Sequence, residues 1–192
     1  VRVMSLRQIA GQWWSDTRWG RARAMRTLVE LEAEQLLHIR RVLARPIEQL
    51  TSPLAVWRIG DPEPNFQALA RQLHRRARQR AHMTTVVFAA RRSIALFGRG
   101  RMPTLKLTQM THDLNVSELY LHYRRSGLPN RHWISEDRLP RDWPLRERPD
   151  ALLRSEHGEL LRAIEYGGDY PASRLTALHA GFSSIGIGYE IW

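Results

Sequence analysis

The run Gly60-Asp61-Pro62-Glu63-Pro64 admits neither a helix nor a strand. Each proline lacks a backbone donor and pushes the residue before it out of the helical region. A chain of 192 residues makes one large domain or two small ones, and this break is the place to look for a division. Charge divides along the chain as well. Residues 1–101 hold 19 arginines against 7 acidic residues, a net of +12, while residues 102–192 hold 10 arginines and one lysine against 12 acidic residues, a net of −1. A compositional preference explains arginine in place of lysine, but not an excess gathered on one side. A basic part beside a near-neutral part is the pattern of a polyanion-binding module joined to a module with another task.

Several classes are disfavoured early. No apolar run approaches the roughly 18 residues of a membrane span, and no helical stretch joins a basic face to a bulky Leu-aromatic face, so a membrane partner is not expected. The start Val-Arg-Val-Met-Ser has no signal-peptide apolar core. Cysteine is absent, which removes disulfides and thiolate metal sites and fits a cytoplasmic setting. There is no Gly-x-x-x-x-Gly-Lys loop and no Gly-x-Ser-x-Gly elbow, so neither a P-loop site nor a nucleophile elbow is expected.

In the front part, Ser5-Leu6-Arg7-Gln8 is a capping box. Leu6, Ile9, Ala10 and Trp13 then recur at helical spacing, which predicts a helix over 6–14. After Ser15-Asp16-Thr17 a second helix is predicted over 20–34, with Ala24, Leu28 and Leu31 on its apolar stripe. Its first turns carry Arg21, Arg23 and Arg26 and its last turns Glu30, Glu32 and Glu34, an order that opposes the helix dipole at both ends. Arginines placed there at a cost point to phosphate or base contact. Residues 37–45 and 54–59 are predicted as two strands. A basic helix followed by two strands is the order of a winged helix-turn-helix domain, with Arg40, Arg41 and Arg45 on or near the wing. Such a domain usually has three helices before the wing, and two are legible here. The helix predicted over 65–82 is a candidate for the third place, and an exposed apolar face would favour a partner or a homodimer. That helix carries Arg75 and Arg76, candidates for contact with the DNA backbone.

Beyond this helix the pattern gives a strand over 84–90, a short helix from Arg92 to Gly98, a break at Gly100 and Pro103, and a helix over 108–125. Strands follow from Trp133, over 150–153 and over 160–166. A helix over 172–183 and a strand over 189–192 end the chain. His112-Asp113 and the pair Glu118 and His122 have spacings that can face a metal, although salt-linked surface pairs explain them as well. The hairpin predicted from 150 to 166 is more informative. It can set Asp150 and Glu165 side by side at one end of a sheet, and two carboxylates can hold Mg²⁺, which polarises a phosphate and activates water.

Five segments carry a family resemblance: Leu6-Arg7-Gln8-Ile9-Ala10, Arg21-Ala22-Arg23, Thr111-His112-Asp113-Leu114, Arg148-Pro149-Asp150-Ala151 and Arg162-Ala163-Ile164-Glu165. Together they resemble the replication-relaxation protein family. That family joins a winged helix to a domain similar to the PD-(D/E)xK nucleases and is associated with plasmid and mobile-element replication or transfer. The resemblance implies an α/β (α+β) fold, with an N-terminal winged helix-turn-helix and a nuclease-like α-β-β-β-α-β domain. The expected domains are 1–60 for the winged helix, 61–83 for a linker and basic helix, and 84–192 for the nuclease-like part. It implies Asp150 and Glu165 as the paired acids and Glu118 as the acid of the preceding helix. The family's lysine falls on Gly167, leaving Lys106 as the only lysine and Arg162 as a weaker substitute. Loss of one preorganised electrostatic group costs several kcal/mol of transition-state stabilisation, about 3–4 in measured cases.

These residues lead to a double-stranded DNA-binding protein whose nuclease-like part is weak or inactive. Arg21, Arg23, Arg26, Arg40, Arg41, Arg45, Arg75 and Arg76 are its expected DNA contacts. The rival is an Mg²⁺-dependent endonuclease that uses Asp150 and Glu165 with Glu118 or Lys106. A protein-interaction adaptor is the third alternative.

Overall fold

The computed structural model describes residues 2–97 and 106–192. It is a mixed α/β structure with two sheets, divided into two compact units. One unit comprises residues 1–48 and 80–121, the other 49–79 and 122–192. Each unit draws on two separate stretches of the chain, so the division does not fall at the expected positions 60 and 83. The break expected at Gly100 and Pro103 lies outside the described residues.

In the first unit, β1 (Met4–Ser5) leads directly into α1 (Leu6–Trp13). The capping box forms as the sequence implies: the Ser5 hydroxyl accepts from the Gln8 amide at 3.1 Å, and Gln8 Oε1 accepts from the Ser5 amide at 2.9 Å. A short turn leads to α2 (Arg18–Ala33), which Thr17 caps through the Gly20 amide. A Cβ at residue 20 would stand 2.1 Å from the Ser15 carbonyl oxygen, so only glycine lets the turn cross this close. The far end of α2 closes with Gln35 in the left-handed region at φ 57°. There the Leu36 amide donates to Leu31 and the Gln35 amide to Glu32, the Schellman pattern that normally favours glycine.

The chain continues into β2 (Leu37–Ala44). Its partner is not the strand at 54–59, which corrects the expected wing pairing. It is β4 (His82–Ala89), antiparallel over eight residue pairs from Leu37↔Ala89 to Ala44↔His82. The sheet order is β1-β4-β2. Length and burial favour this partner: β4 matches all of β2 and brings Val86 and Val87 into the core, whereas the earlier segment forms only three strand residues. Val3, Val42, Ala44 and Val86 pack with Met110 and Leu114 from α5 (Met110–Arg125), while Ile9 and Leu28 pack on Val87. The short α4 (Arg91–Phe97) follows β4. Its Arg92 guanidinium donates to the Glu34 carbonyl at 2.7 Å, so a cation from another element serves the C-terminus of α2.

In the second unit, β3 (Ala55–Trp57) is an edge strand paired with β8 (Tyr189–Ile191). The other strands are β5 (Trp133–Ser135), β6 (Ala151–Arg154) and β7 (Leu160–Glu165), in the order β3-β8-β7-β6-β5. β5, β6 and β7 form an antiparallel meander. β8 lies parallel to β7, joined through α6 (Ala172–Ser184), as a crossover connection requires. α3 (Phe66–Ala77), capped by Asn65, packs Leu69 and Leu73 into a core with Leu152, Ala163, Leu175, Phe182, Tyr189 and Ile191. Trp57 stacks on Tyr189 in this core, ring centres 5.6 Å apart, which ties β3 to this unit. Among the described residues no helix is long and apolar enough to cross a membrane.

Candidate functional site

Two places concentrate polar side chains. One is the solvent face of α2, the other the end of β6 and β7.

On α2, Ala24 and Leu28 face the core and turn the opposite side outward. The three expected arginines do not behave alike. Arg21 is engaged by Asp16, with Nη1 2.6 Å from the carboxylate and 3.1 Å from its backbone oxygen. Arg7 grips the same carboxylate at 2.8 Å, and these hydrogen bonds, Arg7's first, hold the Asp16 pKa below its ordinary value. Arg23 and Arg26 are exposed and make no ion pair with a described residue. Trp19 completes their stripe at helical spacing and is 83% exposed. Sequence reasoning passed over Trp19, although a tryptophan off the apolar stripe of an amphipathic helix was a usable signal. On β2, Arg40 is turned onto Glu32 at 3.3 Å and onto its own strand backbone. Arg41 and Arg45 are exposed, and the Arg45 amide donates to Thr111.

At the other place, the pairing Ala151↔Ile164 sets Asp150 opposite Glu165 one step further along the ladder. The two carboxyl groups are hydrogen-bonded to each other. Burial, followed by the charge of Asp150, holds the Glu165 carboxyl well above its ordinary pKa; Arg174 opposes this and Glu136 adds to it. Asp150 Oδ2 also accepts from the Tyr166 amide at 2.8 Å, and its carbonyl accepts from the Glu136 amide at 3.0 Å. Tyr170 lies beside the pair. Its phenol is pushed up by burial and by both carboxylates, and the Arg174 guanidinium sits 4.2 Å from its ring centre.

The other acids and cations expected here divide between the two units. Glu118 belongs to the first unit, where its carboxylate accepts from Gln8 Nε2 at 3.0 Å. Lys106 is exposed in the first unit, ahead of the 3-10 turn Leu107–Gln109. Arg162 alternates to the sheet face opposite Glu165 and pairs with buried Glu190. Glu190 also accepts from the Tyr123 hydroxyl and from Trp192 Nε1. Sequence reasoning missed Glu190, an acid inside the apolar strand Tyr189–Ile191. A lysine at position 167 would have to displace Leu73: a Cβ there would stand 2.5 Å and 2.8 Å from the two Leu73 methyls and 3.2 Å from Ile191. His112, Asp113 and His122 do not form a metal site. Asp113 faces Arg2 at 3.5 Å, and the His122 ring packs 4.9 Å from that of Trp192. Among the described residues no group of three or more His, Asp or Glu side chains is arranged to hold an ion. Asp150 and Glu165 alone still meet what Mg²⁺ asks of a protein, which is one or two carboxylates completed by water.

On α3, Arg76 does not point to solvent with its neighbours. Its guanidinium lies 5.1 Å from the Tyr166 ring centre. Arg75 is exposed.

No protein-family model, curated protein or solved structure matches the chain.

Proposed function

We propose that the chain binds double-stranded DNA through its first unit, with α2 as the recognition helix of a winged helix-turn-helix. The observation that carries this is the exposed stripe Trp19, Arg23 and Arg26, whose arginines pair with no acid among the described residues, on a helix held by a tight turn after α1. The order β1, α1, α2, β2, β4 with sheet order β1-β4-β2 supports it, because a helix pair followed by an antiparallel ribbon is the arrangement that sets a helix in the major groove. Arg41 and Arg45 on the ribbon add backbone contacts. The resemblance to the replication-relaxation family extends the proposal to a plasmid or mobile-element replication or transfer factor whose second unit is a nuclease-like scaffold.

Fluorescence anisotropy with a labelled duplex over a salt series tests it. The Arg23→Ala/Arg26→Ala variant binds more weakly, and its log-log salt slope flattens by about 0.9 for each phosphate it no longer neutralises. Unchanged affinity and slope overturn the assignment of α2. No binding to any duplex at low salt leaves the adaptor alternative.

The hydrogen-bonded pair Asp150 and Glu165 favours a second reading, an Mg²⁺-dependent endonuclease. Incubation of supercoiled plasmid with Mg²⁺ or Mn²⁺ decides it: nicking that Asp150→Ala abolishes supports the enzyme, and equal nicking by the variant rejects it. With glycine in place of a lysine at position 167, weak or absent nicking is the expected result.

A further inference from the structure

We propose that the second unit has its own groove for single-stranded nucleic acid, between α3 and the start of α6. The groove encloses about 870 Å³. That is the size of a pocket for a small ligand or a few nucleotides. One wall is a face of α3 carrying Arg71, His74, Arg75 and Arg78, and the other is Asp169 and Tyr170 ahead of α6.

The arginines recur at i, i+4 and i+7 on α3, so they rise along one wall in steps of about 6 and 4.5 Å. All three are exposed, and none makes an ion pair with a described residue. This sets them apart from Arg7, Arg21, Arg40 and Arg162, each paired with an acid. Asp169, the acid of the groove, is hydrogen-bonded to His74, with Nδ1 2.8 Å from Oδ1, so the lining sets three arginines against one acid. A row of cations calls for a row of anions. Tyr170, which lines the groove with Arg174 against its ring, favours a nucleic-acid strand over an acidic peptide. Basic side chains that track a backbone beside an aromatic ring are the arrangement that holds single strands, because every base has a face to stack. The charge count agrees. The second unit holds 15 arginines against 12 acidic residues, although the C-terminal part of the sequence by itself is slightly negative.

The proposal shares only its ligand class with the reading of α2, so the two fail separately. The experiment is anisotropy of the full chain with a labelled oligothymidylate of about eight nucleotides, a length within the usual site size, run beside the duplex. The Arg71→Ala/Arg78→Ala variant loses about fivefold or more in single-strand affinity and about 1.4 units of salt slope, about 0.7 for each phosphate no longer neutralised. It keeps the duplex affinity of the wild type, which also shows that it is folded. The Arg23→Ala/Arg26→Ala variant gives the opposite pattern. Wild-type single-strand binding by the Arg71→Ala/Arg78→Ala variant overturns the groove, and so does equal loss of both ligands, which would mean one shared surface. Two competitors complete the test. Displacement by poly-glutamate as effective as by unlabelled oligonucleotide would make the occupant an acidic peptide, and displacement by a mononucleotide at the same concentration would make it a single phosphate-bearing small molecule. Either result overturns the strand.

Discussion

In the first unit Arg23 and Arg26 stand on α2 with no acid paired to them among the described residues, and in the second Arg162 is drawn against buried Glu190, where Tyr123 and Trp192 also donate. These two sets of arginines therefore serve different ends. On α2 the charge is left available for something outside the chain, at little cost to stability. Beneath β8 the charge offsets a carboxylate that has lost its water, and it belongs to the fold. The same contrast separates the acids. Asp16 lies at the surface between Arg7 and Arg21, with its pKa lowered. Glu165 lies buried against another carboxyl, with its pKa raised. Counting charges along a sequence cannot separate these roles, because burial and pairing decide them.

The sharpest way to break this comparison is Arg162→Ala. It leaves Glu190 buried without its cation and lowers unfolding stability by about 3–5 kcal/mol. Arg23→Ala/Arg26→Ala shifts stability by no more than about 0.5 kcal/mol, as surface changes do. Urea denaturation of the variants side by side checks both, and comparable losses would end the distinction. Next comes Gly167→Ala. The new methyl meets Leu73, and overpacking of this kind costs about 1–3 kcal/mol. A neutral result would mean that Leu73 yields and that a lysine is sterically permitted.

Glu165→Gln sharpens the contrast between the acids through pH. The folded chain keeps a proton on Glu165 at pH values where the unfolded chain has released it. The associated stability is complete below the ordinary glutamate range and is lost as pH rises through the folded pKa. The amide removes that loss, so the variant melts higher than wild type at about pH 8 and nearly level with it at about pH 5. A larger gain at the lower pH would contradict the shared proton. The smaller effects lie in the first unit. Ser5→Ala removes half of the capping box and costs about 1 kcal/mol. Arg7→Ala costs less than about 1 kcal/mol, because Arg7 is 73% exposed and water replaces much of the pair. Thermal melts rank the two, and a larger loss for Arg7 would give surface charge a structural part that the first unit is not expected to have.

Much of the local structure was legible in the sequence because its signals are local. Ser5 and Gln8 announce α1, the apolar stripe of Ala24 and Leu28 gives α2, and the turn at Gly158 joins β6 to β7. The opposition of Asp150 and Glu165 followed from hairpin periodicity, since two strands joined by a short turn have few registers to choose from. The short β1 went unseen, having only two residues to carry a pattern.

What the sequence by itself determined is where helices and strands form and that two acids meet at one end of a hairpin. Caps, turns and periodicity act over a few residues and do not depend on the rest of the chain. The tertiary structure decided the partners. β2 found β4 across 37 intervening residues and β3 found β8 at the far end of the chain, so the break at residues 60–64 does not divide the units. It also decided which side chains were taken up: Arg21 went to Asp16, Arg76 to Tyr166 and Arg162 to Glu190, and Leu73 closed the space at Gly167. These outcomes depend on which surfaces bury each other across long stretches of chain, and no short-range pattern encodes that.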